Sequence, residues 1–205
     1  MLNIYLVRHG QNKDNEAGIL NGHRDEPLTN LGIEQAKDLA EFVKEHNITF
    51  TKVYSSPLVR AYDTAKEITK TLSLPDPEIL PLLIERDFGE MTGKNIIDIK
   101  KYCAPKILET PAVTYFLEVE GAETFPDLII RAKKLLKLIT EKHISGNILL
   151  VGHGDFGKMI YAAYYNLPWE DVLKSFHFGN SELLLLASGA PLEKSRIFKT
   201  AQFNS

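Results

Sequence analysis

The chain has 205 residues, 44% of them hydrophobic, with 24 basic and 27 acidic residues and a net charge of -3. That length buries one substantial core, so a single domain over 1–205 is expected, and the balanced charge supplies no cationic field for a nucleic-acid backbone or an anionic membrane surface. One cysteine, Cys103, excludes an internal disulfide, and no basic segment followed by a long apolar run opens the chain, so a cytoplasmic monomer or homodimer acting on a small ligand is expected.

In chain order, Leu2, Ile4, Tyr5, Leu6 and Val7 form the apolar run of a buried parallel strand, which ends in Arg8-His9-Gly10-Gln11. Arginine carries a planar fork of donors matched to phosphate oxygens, and histidine serves as nucleophile or acid–base near neutral pH. The polar stretch Asn12 to Pro27 has neither a helical nor an alternating period and reads as a long loop containing Asn15, Asn21, Gly22 and His23. Thr29 then caps a helix whose buried positions are Ala36, Leu39, Ala40 and Val43. Lys52 to Ser55 reads as a short strand, and Ser56-Pro57 as the N-cap and first-turn proline of a second helix. Arg60 falls in that helix's first turn, where a surface helix gains more from an acid, so an anion is expected beside it.

Glu78 to Leu80 reads as a strand, followed by a loop in which apolar residues flank Glu85, a setting suited to a carboxyl that gives and takes a proton. From Lys94 the pattern becomes irregular, with a short helix around Ile96 to Tyr102, so an excursion or lid is expected over about 94–122. Thr124 to Asp127 is a capping box for a helix striped by Leu128, Ala132, Leu135, Leu136 and Ile139. A second apolar strand, Asn147 to Val151, runs into Gly152-His153-Gly154-Asp155 and echoes the opening. A helix over Phe156 to Tyr165, a helix start at Pro168-Trp169, and strands at Ser181 to Ala187 and Arg196 to Lys199, joined by Gly189-Ala190-Pro191, complete the chain. Ligands of α/β sheets collect beyond the carboxyl ends of the parallel strands, so two strands ending in His-Gly place both imidazoles in one crevice.

If Arg8, His9, Arg60, Glu85 and His153 converge, they form a phosphoryl-transfer site. His9 attacks phosphorus when its other ring nitrogen is held by an acceptor, and the arginines keep it neutral. The arginines and His153 neutralise the equatorial oxygens, while Glu85 protonates the leaving alkoxide and later accepts a proton from the attacking water. No metal or other cofactor is required. A metallohydrolase using His9, His153 and Asp155 is a rival, against which the arginines act by repelling a cation. His23, His46, His143, His177 and Cys103 read as structural, and Asn180-Ser181 as a turn.

Arg8-His9-Gly10-Gln11, Pro27-Leu28-Thr29 with Gly32 and Gln35-Ala36, Ser55-Ser56-Pro57-Leu58 with Arg60-Ala61 and Thr64-Ala65, Leu83-Ile84-Glu85 with Phe88-Gly89, Gly121 with Glu123-Thr124, and Val151-Gly152-His153-Gly154 follow one another in this order. Taken together, they resemble the histidine phosphatase, or phosphoglycerate-mutase-like, superfamily over nearly the whole chain. The resemblance implies a three-layer α/β sandwich with a mostly parallel sheet and helices on both faces. It also implies a phosphohistidine at His9, phosphate contacts from Arg8, Arg60 and His153, and Glu85 as proton donor. Asn15 matches a phosphate-pocket asparagine of the family, and Gln11, Gly22 and Gly154 are expected beside it.

Asn12, Thr92 and Lys158 depart from the residues common in the family at those places. Mutases that resemble this chain carry an arginine-bearing insertion after the Glu85 loop, whereas Lys94 to Gly121 has only lysines, with Tyr102, Tyr115 and Phe116 available as a less polar wall. A phosphatase acting on a small phosphorylated metabolite is therefore expected, with a mutase or a non-catalytic phospholigand-binding protein as the alternatives.

Overall fold

The computed structural model describes residues 1–187 and 196–199. Its first half comprises β1 (Leu2–Arg8), α1 (Lys13–Ala17), α2 (Asn30–Glu45), β2 (Lys52–Ser55), α3 (Val59–Thr71) and β3 (Glu78–Ile79). The excursion holds α4 (Ile99–Cys103), β4 (Ile107–Glu109) and β5 (Thr114–Phe116). There follow α5 (Phe125–Lys142), β6 (Gly146–Gly152), α6 (Gly154–Tyr165), α7 (Trp169–Ser175), β7 (Leu183–Leu186) and β8 (Arg196–Phe198).

Six strands form one sheet in the order β3-β2-β6-β1-β7-β8, and β4 pairs with β5 in a separate hairpin. The pairs β1–β6, β2–β6 and β2–β3 are parallel, whereas β7 runs antiparallel to β1 and β8 antiparallel to β7. Alternation along β1 sets the layers. Ile4 and Leu6 join a core with Leu128 and Leu135 of α5, Phe156 of α6 and Val172 of α7. Tyr5 and Val7 instead meet Leu39 and Val43 of α2 and Ala61 and Ile68 of α3. Helices cover both faces of a mostly parallel sheet, so the fold is the three-layer α/β sandwich that was expected.

A third, smaller cluster lies off the sheet. Leu20, Phe88, Met91, Ile99, Cys103 and Phe116 pack together, which ties the excursion to the loop after β3 and gives Cys103 its buried place. Among the described residues no helix is long and apolar enough to cross a membrane.

Local boundaries depart from the sequence reading in four places. The polar stretch after β1 contains α1, made by a capping box in which the Asn12 and Asn15 side chains each accept from the other's backbone N–H. A helix that short shows no hydrophobic period. Ser56 is not an N-cap, because α3 begins at Val59 behind Leu58 and has no side-chain cap. The Ser56 N–H still follows the sheet, donating to Val151 O at 3.0 Å. Helix α6 begins at Gly154, with His153 extended at its N-cap, earlier than Phe156 because Gly154 and Asp155 already carry helical backbone. Finally, Ser181 sits in a turn at φ 53° before β7 rather than in the strand, and the joining segment Gly189-Ala190-Pro191 lies outside the described residues.

Candidate active site

Register brings the two imidazoles together. Arg8 lies opposite Gly152 in the parallel β1–β6 pair, so His9 and His153 leave the sheet side by side with ring centroids 5.1 Å apart. The His9 N–H donates to Gly152 O at 3.0 Å, continuing the ladder by one residue. Just after it, the chain turns at Gly10, where a Cβ would collide with the Gly32 carbonyl, and a Cβ on Gly32 would strike Gln11. Two glycines thus let the start of α2 press on the turn and hold His9 inward.

The ring of His9 is 3% exposed and its tautomer follows from its partners. Nδ1 lies 2.6 Å from Gly10 O, an oxygen that only accepts, so Nδ1 carries the hydrogen and Nε2 keeps its lone pair. Arg60 Nε donates to that Nε2 at 3.2 Å. Burial, then the charges of Arg60 and Arg8, hold His9 well below its usual 6.5. His153 is held low in the same way, first by burial and then by Arg60. Its Nε2 lies 2.7 Å from Ser56 Oγ, and its Nδ1 is buried with no hydrogen-bond partner.

Arg60 is 1% exposed and oriented by backbone: Nη1 donates to Arg24 O at 2.6 Å and Nη2 to Gly22 O at 3.0 Å. Each terminal nitrogen retains a further N–H for an anion. Burial lowers its pKa to about 10, which still leaves it cationic at neutral pH. Arg8 Nη1 is fixed on Phe178 O at 2.8 Å, while its Nε is buried without a partner.

Glu85 sits against the start of α6 rather than in an apolar pocket. Its carboxylate accepts from the backbone N–H groups of Gly154, Asp155 and Phe156 at 3.0, 3.4 and 3.0 Å, and from Arg86 N at 2.9 Å. Unpaired N–H groups at a helix N-terminus suit an anion. Arg8, His9, Arg60 and Glu85 all line one cavity of about 510 Å3, with Asn15 and Gly154. His153 lies behind His9 and is 1% exposed.

A family model for the histidine phosphatase superfamily (branch 1) matches residues 4–189. The chain belongs to this superfamily. A 2,3-bisphosphoglycerate-dependent phosphoglycerate mutase of Parvibaculum lavamentivorans is 29% identical over 196 residues, covering 92% of this chain and 88% of the relative. A metal-independent phosphoserine phosphatase of Arabidopsis thaliana is 34% identical over 163 residues, covering 77% and 66%. Among solved structures, a mycobacterial glucosyl-3-phosphoglycerate phosphatase in complex with VO3 superposes with a TM-score of 0.76 at 24% identity, covering 89% and 91%, which establishes a shared fold.

Three residues expected at the superfamily's phosphate pocket do not line the cavity: His153, which lies behind His9, and Gln11 and Gly22. Gln11 does not line the cavity: its side-chain oxygen accepts from Thr29 Oγ1 at 2.8 Å, outside the α2 start. Gly22 does not line it either and acts through its carbonyl on Arg60. Tyr102, expected in a less polar wall, is 52% exposed and stands beside Lys94 and Lys101. His177 and Asn180, read as structural, stand closer to the site: His177 lines the cavity, and Asn180 Nδ2 donates to His9 O at 2.8 Å. His9, His153 and Asp155 form no metal-holding group among the described residues.

The sequence reading missed the residues that hold the site from behind. Arg131 Nη1 donates to Leu82 O at 3.0 Å and Ile84 O at 2.6 Å, and Nη2 to Glu85 O at 3.3 Å. Glu123 grips the same guanidinium from the other side, at 2.9 and 2.7 Å. A loop with no ladder of its own is thereby clamped just where Glu85 leaves it. Arg86 is fully buried between the Phe116 and Phe125 rings at 4.2 and 4.3 Å; Asp155 lies 3.6 Å away, and its Nη1 and Nη2 make no hydrogen bond. Lys158 donates to Tyr115 Oη at 3.0 Å, and its pKa is raised because Tyr115 and Asp155 outweigh the penalty of burial. Glu123 precedes the Thr124 N-cap of α5 and Arg131 lies inside the helix, so no helical spacing relates the two in the sequence.

Proposed function

We propose that the protein is a metal-independent phosphatase that hydrolyses a small phosphomonoester through a phosphohistidine at His9. The observation that carries this reading is the 2.6 Å bond from His9 Nδ1 to Gly10 O, which leaves Nε2 as a buried nucleophile between two arginines. Phosphate oxygens take over the Arg60 donors, Nε2 attacks phosphorus, and the ester P–O bond breaks as Glu85 delivers a proton to the leaving oxygen. The proton that Glu85 delivers comes from solvent. In the second half, water attacks the phosphohistidine, its proton passes to Glu85, and inorganic phosphate leaves with His9 restored. Arg8 and Arg60 counter the charge on the transferring oxygens throughout, with the neutral His153 ring beside His9.

Acid quenching during turnover of a labelled ester should trap an acid-labile phosphoenzyme in the parent and none in His9→Ala. Retained turnover in His9→Ala would end this reading. The mutase reading keeps the same residues and draws support from the Parvibaculum relative. Isomerisation of phosphoglycerate far faster than its hydrolysis would establish it instead. Against both stands a phospholigand-binding protein, which the retained His9 and Glu85 disfavour.

A further inference from the structure

Phosphate occupies only a small part of a cavity of about 510 Å3, and the walls around the remainder differ in kind from those around His9. Ile19, Ile96, Ile97, Ile99, Pro111 and Val113 also line it. Ile97 is 81% exposed, a large apolar side chain placed at the opening. The excursion that supplies most of this wall has no arginine, and its one lining cation, Lys100, lies 2.5 Å from Glu109. Deeper in, Lys158 is engaged by Tyr115 and Asp155, and Arg86 is enclosed by aromatic faces beside Asp155.

We infer that the site selects phosphomonoesters whose alcohol portion is apolar, an alkyl or aryl group, over esters whose alcohol carries a carboxylate. The inference rests on the phosphatase reading and names the substrate class of that site. An apolar group gains by leaving water for the isoleucine wall, roughly three- to fourfold in affinity per buried methylene. A carboxylate against the isoleucines loses hydration that they do not replace.

The test measures kcat/KM for methyl, butyl and hexyl phosphate, which share one leaving-group chemistry, and for O-phosphoserine and 3-phosphoglycerate. The expected result is a rise of about tenfold or more from methyl to hexyl, carried by KM, with both carboxylated esters below butyl phosphate. In Ile97→Asp and Val113→Asp the hexyl-to-methyl ratio should fall at least about threefold. A flat alkyl series, or a preference for phosphoserine or 3-phosphoglycerate through the Arg86 nitrogens, would overturn the inference and leave the phosphatase reading intact. Absence of turnover with every ester would overturn both. The alkyl series is run on the parent protein, so the outcome does not depend on either variant folding.

Discussion

At the base of the cavity, His9, Arg60 and Glu85 stand at a strand end, a helix start and a clamped loop, each side chain tied to backbone by short hydrogen bonds, with His153 behind them on Ser56 Oγ. At its opening, Ile97 belongs to a 3-10 turn (Ile96–Asp98) ahead of α4, and Val113 to the turn of a hairpin of three-residue strands, next to the small cluster around Ile99, Cys103 and Phe116. The base draws on both sheet cores; at the opening the hairpin reaches one of them through Leu108, Val113 and Tyr115, and the 81% exposed Ile97 joins none. Rigid placement suits chemistry that fails when atoms shift by an ångström, whereas a thinly supported wall can vary without disturbing it.

The largest expected contrast is between His9→Ala and any substitution in the wall. Loss of the nucleophile should lower kcat by about four orders of magnitude or more for every ester alike. Wall variants should change the ranking of esters while the phosphoenzyme still forms. Rapid-quench measurement of phosphoenzyme in both proteins checks this, and equal losses in the two would erase the distinction between base and wall.

The Arg131 clamp is the next test of the base. Arg131 and Glu123 are 14% and 21% exposed, so Arg131→Ala leaves a half-buried carboxylate and frees the Leu82 and Ile84 carbonyls, Glu85 O keeping His23 Nε2. A cost of about 3 kcal/mol in denaturant unfolding is expected. Because Arg131 acts through Glu85, kcat should fall roughly tenfold to a hundredfold while KM stays within about twofold, with the larger share in the proton-dependent limb of the pH profile. Arg131→Lys, which can hold fewer of the carbonyls, should restore stability more than kcat. A uniform loss of active protein with an unchanged pH profile would reduce the clamp to a stabilising role.

The same division governs what the sequence discloses. Strand ends are legible, since an apolar run ending in His-Gly occurs twice, whereas the layers came from the family resemblance, because β1 and β6 are apolar on both faces. The opening is not, because Ile96 to Val113 has no period and its position depends on packing with Phe88 and Phe116 and with Leu20, which lies far earlier in the chain. Glu85 was legible as a site residue but not in its surroundings: the amides of α6 that hold it lie some seventy residues away. Likewise, Ser56 looks like a helix cap, and only the neighbouring β6 shows that its hydroxyl faces His153.

Proton linkage gives a smaller effect confined to the base. Burial and Arg60 hold both histidines well below 6.5, so each is neutral in the folded protein and takes up a proton on unfolding once the pH drops below that value. Their contribution is intact above about pH 6.5 and is lost as pH falls from there toward the depressed folded pKa, at about 1.4 kcal/mol per pH unit for each. Unfolding free energies of the parent and His9→Asn between about pH 6.5 and 5 should differ in slope by that amount. Identical slopes would mean that His9 is not held neutral. The kcat/KM profile should likewise show no inflection at 6.5 from the nucleophile.

Lys100→Ala should have the smallest effect and separates the two regions most directly. Lys100 and Glu109 are 62% and 52% exposed, and an ion pair in that setting stabilises by about 0–1 kcal/mol. Thermal unfolding should therefore shift little. The informative measurement is KM for phosphoserine relative to butyl phosphate. If the wall recognises apolar groups, removing its lining cation leaves that ratio within about twofold, because Glu109 already neutralises the charge. A selective rise in the KM for phosphoserine would assign Lys100 to a carboxylate and move acidic recognition from the base of the cavity to its opening.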